Sequence, residues 1–240
     1  MKEPLLLIHG VGGDSSNWDE IVPQLEPRFG VIRVDLPGHG RSAPIRSPVT
    51  VFDLARRVAE MMDVASAHVA GFSLGGQVAQ ALALEHPQRV RSVALISTVA
   101  GRTQAERAGA MSRIELLKEK GLAAIADVNR DRWFTREFQA AHPDKVALRV
   151  EQLLRTDAES YLQAFTVFAR DDLGGRLGAI CAPTLIITGE HDTSATPRMA
   201  RLMHERIANS TLHVLPGLRH SLLIEAPDRV GALLERFYRN

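Results

Sequence analysis

The chain has 240 residues, enough for a single hydrophobic core with some length left for an insertion. Hydrophobic residues make up 45% of it and charged residues 24%, which is the composition of a globular protein rather than a disordered one. The 29 basic and 28 acidic residues nearly cancel, so no long-range field favours nucleic acid or an anionic membrane as a partner. Cys181 is the only cysteine, which excludes an internal disulfide and a cysteine-based zinc site.

The first apolar run of the chain, residues 5–8, is too short for the apolar region of a signal peptide. No apolar stretch approaches the roughly 18 residues that a membrane-spanning helix needs. We therefore expect a soluble, cytoplasmic protein with neither a membrane nor a nucleic-acid partner.

Six short runs rich in leucine and β-branched residues predict β-strands. They cover residues 5–9, 31–35, 68–72, 92–97, 184–188 and 211–215. Several of them are almost continuously apolar, as expected for strands that are covered on both faces of a parallel sheet. Helical patterns separate the runs. This alternation predicts an α/β protein with a doubly wound, mostly parallel sheet of about six strands.

Two of the predicted helices have recognisable first residues. Thr50 is followed three positions later by Asp53, an acidic variant of the capping box, which predicts that a helix begins here. The apolar stripe of this helix ends with Met61 and Met62. Pro227, a residue favoured in the first helical turn, predicts the start of the last helix.

The segment 102–177 contains no convincing strand and has helical patterns throughout. We expect it to form a helical cap (lid) inserted above the sheet, with 1–101 and 178–240 forming the core of the fold. The alternative is a set of extra helices packed on one face of the sheet. Six large aromatic side chains lie in this segment: Trp133, Phe134, Phe138, Tyr161, Phe165 and Phe168.

The strongest chemical signal is the sequence Gly-Phe-Ser-Leu-Gly-Gly at 71–76, between a predicted strand and a predicted helix. The pattern G-x-S-x-G at such a turn is typical of a nucleophile elbow, which lifts the hydroxyl of Ser73 clear of the sheet. Gly71 and Gly75 flank the turn, where a β-carbon would clash. The amino end of the following helix favours negative charge near Ser73.

A serine nucleophile needs a base, and the base needs an orienting acid. His220 follows the last predicted strand, and Asp192 follows the strand at 184–188. Both therefore belong to loops at the carboxyl edge of the sheet, where Ser73 also lies. The order Ser73, Asp192, His220 is the one that accompanies this elbow. We predict that these three residues are the catalytic nucleophile, acid and base.

Acyl transfer also needs hydrogen-bond donors for the oxyanion. The first strand ends in His-Gly-Val-Gly-Gly at 9–13, and the backbone amides of Val11 and Leu74 are the predicted donors. His9 is expected to orient this turn rather than to act as a base. The loop lacks the later glycine of a dinucleotide fingerprint, and no P-loop pattern occurs. No histidine pattern of a metallohydrolase surrounds Asp192, so neither a metal nor a cofactor is expected.

Five blocks in order resemble the α/β-hydrolase family. They are Leu-Ile-His-Gly at 7–10 with Trp18, Asp-Leu-Pro-Gly-His-Gly-Arg-Ser at 35–42, and the blocks at 71–76, 189–192 and 217–220. The resemblance implies the α/β-hydrolase fold, a helical cap and cofactor-free chemistry, with His39 in a structural role. The cap length and the segment 215–227 are similar to 3-oxoadipate enol-lactonases and related small-acid esterases. The family usually has two further strands before the first one found here, so a six-stranded sheet with 31–35 at an edge is expected.

The predicted function is hydrolysis of an ester or lactone of a small organic acid, by a monomer or homodimer. Carbon–carbon bond hydrolysis of a diketone and pyruvate elimination by a lyase would use the same triad, and a non-catalytic ligand-binding protein of this fold remains a further alternative. The cap is expected to supply the substrate contacts. The predicted contacts are Trp133, Phe134, Phe138 and Phe165 as an apolar wall, and Arg130 or Arg132 for a substrate carboxylate.

Overall fold

The computed structural model describes residues 2–239. Its strands form one six-stranded sheet in the order β2-β1-β3-β4-β5-β6, and every neighbouring pair is parallel. The strands are β1 Glu3–Ile8, β2 Phe29–Val34, β3 Ala67–Phe72, β4 Val90–Ile96, β5 Thr184–Gly189 and β6 Ser210–Leu215. All six predicted strands are confirmed, and β2 lies at an edge of the sheet, as predicted.

Helices cover both faces of the sheet, which explains the unbroken apolar runs. In β1, Leu6 and Ile8 belong to one hydrophobic core, and Leu5 and Leu7 belong to the other. Successive side chains of a strand point to opposite faces, so a strand between two helical layers must be apolar at every position. The doubly wound α/β fold is therefore confirmed.

Ten α-helices accompany the strands within residues 2–239. They are α1 Val22–Leu25, α2 Val51–Met61, α3 Leu74–Glu85, α4 Gln104–Trp133, α5 Arg136–Ala141, α6 Pro143–Arg155, α7 Ala158–Arg170, α8 Pro197–Arg206, α9 Leu222–Glu225 and α10 Pro227–Tyr238. Short 3₁₀ helices cover Ser15–Trp18, Pro87–Arg89 and Gly174–Ala179.

The predicted starts of α2 and α10 are confirmed. Thr50 and Asp53 form a complete capping box, in which each side chain accepts a hydrogen bond from the backbone amide of the other residue. The predicted apolar stripe of α2 is correct for Met62, which is 5% exposed, but wrong for Met61, which is 43% exposed. Met61 lies at the margin of the buried stripe in the last turn, so its side chain faces solvent.

The helices α4 to α7 form a continuous helical segment between β4 and β5. Within α4 the backbone of Gly121 has φ 73°, and this non-helical residue divides α4 at a kink. The segment contacts loops at the carboxyl edge of the sheet. The amide of Ile45, after β2, donates to Ser160 Oγ on α7 at 3.0 Å. The amide of Ser221, after β6, donates to the carbonyl of Trp133 at 3.0 Å. These contacts position the helices beside the loops that carry Ser73, Asp192 and His220.

Candidate active site

The turn between β3 and α3 holds Ser73 in a strained backbone conformation. Its φ is 55° and its ψ is −115°, a region whose occupation costs a non-glycine residue about 1–3 kcal/mol. The two glycines of the motif make the turn possible. A β-carbon on Gly71 would lie 2.2 Å from the carbonyl oxygen of Gly75, and one on Gly75 would lie 2.3 Å from that of Ile8. The tight packing of α3 against β1 and β3 therefore fixes where the Ser73 hydroxyl stands.

Three buried side chains from distant parts of the chain are joined in series. Ser73 Oγ lies 3.1 Å from His220 Nε2, and His220 Nδ1 lies 2.7 Å from Asp192 Oδ2. The other carboxylate oxygen, Oδ1, accepts the amides of Ser194 at 2.7 Å and Ala195 at 2.9 Å. Because a carboxylate only accepts, Nδ1 of the imidazole carries the proton, and Nε2 is left to accept the Ser73 hydroxyl.

The loop after β1 lies against the same site. Val11 lines one cavity together with Ser73 and His220, and Leu74 is the first residue of α3. Within residues 2–239, neither the Val11 nor the Leu74 amide donates a hydrogen bond to a protein acceptor. Two unoccupied N–H groups beside a serine hydroxyl are what an oxyanion needs. The structure thus brings the predicted donors to the neighbourhood of Ser73.

A buried arginine on α6, which the sequence patterns do not single out, holds this loop. Arg149 Nη1 donates to the carbonyl of Gly12 at 2.7 Å, and Nη2 donates to that of Val11 at 3.1 Å. Its guanidinium lies over the ring of Trp133, 4.3 Å from the centroid. Burial lowers the pKa of Arg149 to about 10, so the side chain remains a cation at neutral pH. The contact ties the helical segment to the backbone next to Ser73.

Two buried histidines connect the loop after β1 to the loop after β2. His9 Nε2 accepts the amide of Leu36 at 2.9 Å, and His39 Nε2 accepts the amide of Gly12 at 3.0 Å. The Nδ1 atom of His39 donates to the carbonyl of Pro37 at 3.0 Å. Burial lowers the pKa of both histidines, that of His39 to about 3, so both rings are neutral at pH 7. Both rings therefore have structural contacts, and within residues 2–239 neither forms a hydrogen bond with Ser73.

The cavity beside Ser73 is small. It encloses about 30 Å³, room for one or two water molecules. Helices α4, α6 and α7 supply half of its lining. These residues are Arg113, Asn129, Trp133, Arg149, Tyr161, Phe165 and Phe168. Burial raises the pKa of Tyr161 to about 12, so its hydroxyl is protonated at neutral pH.

Only some of the predicted substrate contacts lie at the cavity beside Ser73. Trp133 and Phe165 line the cavity, whereas the remaining four residues do not. Phe134 and Phe138 are stacked on each other at 5.3 Å between centroids, outside the cavity. The half-exposed Arg130 pairs with Asp127 on its own helix at 3.0 Å. Arg132 donates to the carbonyl of Thr193 at 2.9 Å and to Ser194 Oγ at 3.1 Å.

Arg113 and Arg149 are the charged cavity residues that sequence reasoning missed. A signal for both exists in the helical spacing. Arg149 stands three residues after the buried Val146 and four before the buried Leu153, and Arg113 holds the same relation to Ala110 and Leu117 on α4. A charged residue in line with an apolar stripe faces the packed side of its helix, so it is at least partly buried and has a specific partner or a function.

A family model described as alpha/beta hydrolase fold matches residues 3–227. The chain belongs to the α/β-hydrolase family. Among relatives of this α/β hydrolase, a 3-oxoadipate enol-lactonase of Acinetobacter baylyi is 31% identical, over 98% of this chain and 90% of the relative. A pimeloyl-[acyl-carrier protein] methyl ester esterase of Neisseria meningitidis is 32% identical, over 96% and 91%. The crystal structure of an enol-lactonase from Burkholderia xenovorans superimposes with a TM-score of 0.94 at 30% identity, over 100% and 92%.

These comparisons confirm the predicted family and the resemblance to 3-oxoadipate enol-lactonases. The prediction that the α/β hydrolase is an enzyme of the ester-hydrolase class is also confirmed. Within residues 2–239, no helix combines the length and the hydropathy that crossing a membrane requires.

Proposed function

We propose that this α/β hydrolase cleaves an ester or lactone of a small organic acid, with Ser73 as nucleophile, His220 as base and Asp192 as the orienting acid. The observation that carries the proposal is the pair of hydrogen bonds, 3.1 Å and 2.7 Å long, that joins the three side chains in series. The names of the relatives agree with this chemistry, since one set acts on an enol-lactone and another on a methyl ester.

The geometry supports a mechanism through an acyl-enzyme. Ser73 Oγ attacks the carbonyl carbon while His220 Nε2 accepts its proton, and Asp192 stabilises the resulting imidazolium. The oxyanion that forms receives hydrogen bonds from the amides of Val11 and Leu74. As the intermediate collapses, His220 gives its proton to the leaving oxygen. Water then repeats the sequence on the acyl-enzyme, which releases the acid and restores the Ser73 hydroxyl.

In this proposal the helical segment 102–177 is a cap over a core formed by 1–101 and 178–240. Its helices contribute Trp133 and Phe165 to the cavity beside Ser73. A cavity of about 30 Å³ is too small for an ester substrate. The cap helices therefore move, or their side chains rearrange, to admit the substrate. Closing over the bound substrate would exclude water from the oxyanion.

Variant turnover tests the proposal. Ser73→Ala should lower the kcat for 4-nitrophenyl acetate by about 10⁴-fold or more, because within residues 2–239 Ser73 supplies the hydroxyl that is hydrogen-bonded to His220 Nε2. Ser97 is a matched control. It is also buried, follows the neighbouring strand β4 and has a positive φ of 44°, but within residues 2–239 the hydrogen bond of His220 Nε2 goes to Ser73 and not to Ser97. Ser97→Ala should keep the wild-type turnover. Wild-type rates in the Ser73 variant would refute the assignment.

A substrate panel distinguishes the proposed reaction from the other reactions of this site. Simple esters, enol-lactones and vinylogous diketones should be compared with the wild type and Ser73→Ala. The proposal predicts Ser73-dependent multiple turnover of esters or lactones, and slower cleavage of the diketones. Single-turnover labelling without release of product would instead favour a ligand-binding role.

A further inference from the structure

Within the described residues, one arginine of the cavity has neither a hydrogen-bond acceptor nor a paired anion. Arg113 lies on α4 and lines the cavity together with Ser73 and His220. Its guanidinium lies over the ring of Phe165, 5.3 Å from the centroid. Within residues 2–239, the structure gives this guanidinium no hydrogen bond and no ion pair. Arg149, the other arginine of the cavity, differs, because its guanidinium donates to the carbonyls of Gly12 and Val11.

A second arginine without a hydrogen-bond partner for its Nη atoms, Arg102, packs on the neighbouring aromatic ring. Arg102 is only 9% exposed, and its Nη1 and Nη2 atoms are buried without a hydrogen-bond partner. Its guanidinium lies 4.8 Å from the centroid of Phe168. The rings of Phe165 and Phe168 are themselves stacked, with centroids 6.0 Å apart. Two guanidinium groups thus stand against one pair of aromatic rings, and Arg113 repels Arg102 rather than neutralising it.

Asp172 and Glu106 attract the Arg102 cation, and Asp192 attracts Arg113, but each of these carboxylates has hydrogen-bonding partners of its own. Glu106 pairs with Arg198. Asp172 accepts the amides of Gly101, Arg102 and Gly174, and it also pairs with Arg107. Asp192 accepts His220 and two amides of its own loop. Burial lowers the pKa of Arg102 and of Arg113 to about 10, so both remain charged at neutral pH. Keeping the buried Arg102 and the half-buried Arg113 without a directly paired anion is costly, and such sites are retained where a ligand supplies the missing charge.

We propose that Arg113, supported by the charge of Arg102, binds a carboxylate that the substrate carries in addition to its ester or lactone group. The inference rests on the proposed function and specifies its substrate class as the monoester or lactone of a dicarboxylic acid. A planar guanidinium can donate two parallel hydrogen bonds to the two oxygens of one carboxylate. The Phe165 ring against the Arg113 guanidinium holds it in place while its N–H groups stay free for the ligand.

Two substrates of matched length test the assignment. 4-Nitrophenyl hydrogen glutarate and 4-nitrophenyl pentanoate have acyl groups of the same number of carbons, but only the first carries a carboxylate. Wild-type enzyme should have the larger kcat/KM for the glutarate ester. Arg113→Met should lower the ratio of the two kcat/KM values about 10- to 100-fold, mainly through KM for the glutarate ester, because it removes charge-assisted hydrogen bonds. For Arg113→Lys the ratio should lie between those of the wild type and Arg113→Met, since lysine keeps the positive charge but cannot donate two parallel hydrogen bonds.

Arg130→Met is the matched control, because Arg130 lies on the same helix but outside the cavity and pairs with Asp127. It should leave the substrate ratio unchanged. An equal loss for both esters in Arg113→Met would show a structural role, and the same ratio change in Arg130→Met would show a general charge effect. Either result overturns the assignment.

A wild-type measurement keeps the test decisive if the Arg113 variants do not fold. Glutarate should inhibit pentanoate ester hydrolysis competitively, and 1-pentanol at the same concentration should inhibit it far less. Equal inhibition would contradict the inference. Ser73-dependent turnover of both esters without a glutarate preference would leave the proposed function standing and refute only the carboxylate site.

Discussion

Acidification should destabilise the fold through His39. In the folded state this ring is buried, accepts the amide of Gly12, and has a pKa lowered to about 3. In the unfolded chain its pKa is about 6.5. Between these two values the unfolded state binds a proton that the folded state does not bind, so stability falls as the pH falls. Above pH 6.5 neither state is protonated, and this contribution is fully present.

The magnitude follows from the two pKa values. Between pH 7 and pH 5, protonation of His39 in the unfolded chain alone lowers the free energy of unfolding by about 2 kcal/mol. His9, whose pKa burial also lowers, acts in the same direction. His39→Gln keeps a side-chain acceptor for Gly12 but removes the titrating ring. The variant should lose about 2 kcal/mol less than the wild type over the same pH interval.

Chemical denaturation at pH 7 and at pH 5 measures this difference directly. The comparison uses the pH-dependent loss in each protein rather than the absolute stability, so a constant cost of the substitution cancels. If the wild type and His39→Gln lose the same free energy of unfolding between the two pH values, His39 is protonated as easily in the folded protein as in the unfolded chain. That result would refute the reasoning.

Two further substitutions test the backbone around the site. Gly71→Ala should lower the free energy of unfolding by about 2–4 kcal/mol, because its β-carbon would meet the backbone of α3. Gly109→Ala, on α4 with open space around it, should raise this free energy by about 0.5–1 kcal/mol; equal effects of the two in thermal denaturation would contradict the packing argument. Arg149→Met should lower kcat for a neutral ester about 10- to 100-fold with little change in KM, because the Val11 carbonyl loses its donor and the neighbouring amides shift. The exposed Arg155 on the same helix supplies the control substitution, Arg155→Met, and an unchanged kcat in Arg149→Met would show that the arginine does not position the loop.

The elements of the fold were predictable because their signals are local. Each strand of a sheet covered on both faces must be apolar along its whole length, and the capping box of Thr50 and Asp53 is contained within four residues. The positions of Ser73, Asp192 and His220 were equally accessible, because loops that follow parallel strands meet at one edge. The structure brings these three side chains within hydrogen-bonding distance.

The lining of the cavity was not predictable in the same way. Which face of α4 turns towards Ser73 depends on the kink at Gly121 and on how helices pack on one another, and neither follows from residue spacing alone. Arg130 and Arg132 are close in sequence to Trp133, but they are directed to solvent and to the loop after β5 instead. Arg113, twenty residues before Trp133 in the sequence, reaches the cavity because the packing of α4 against α6 and α7 turns it inward.

The site of covalent labelling tests the central claim most directly. The protein should be treated with a fluorophosphonate, digested, and mapped by peptide mass spectrometry. The account predicts one label per chain, carried by Ser73, and strongly reduced labelling in His220→Gln, because the hydroxyl then has no base. A label on any other serine, or labelling at the wild-type rate after His220 is replaced, would contradict the account.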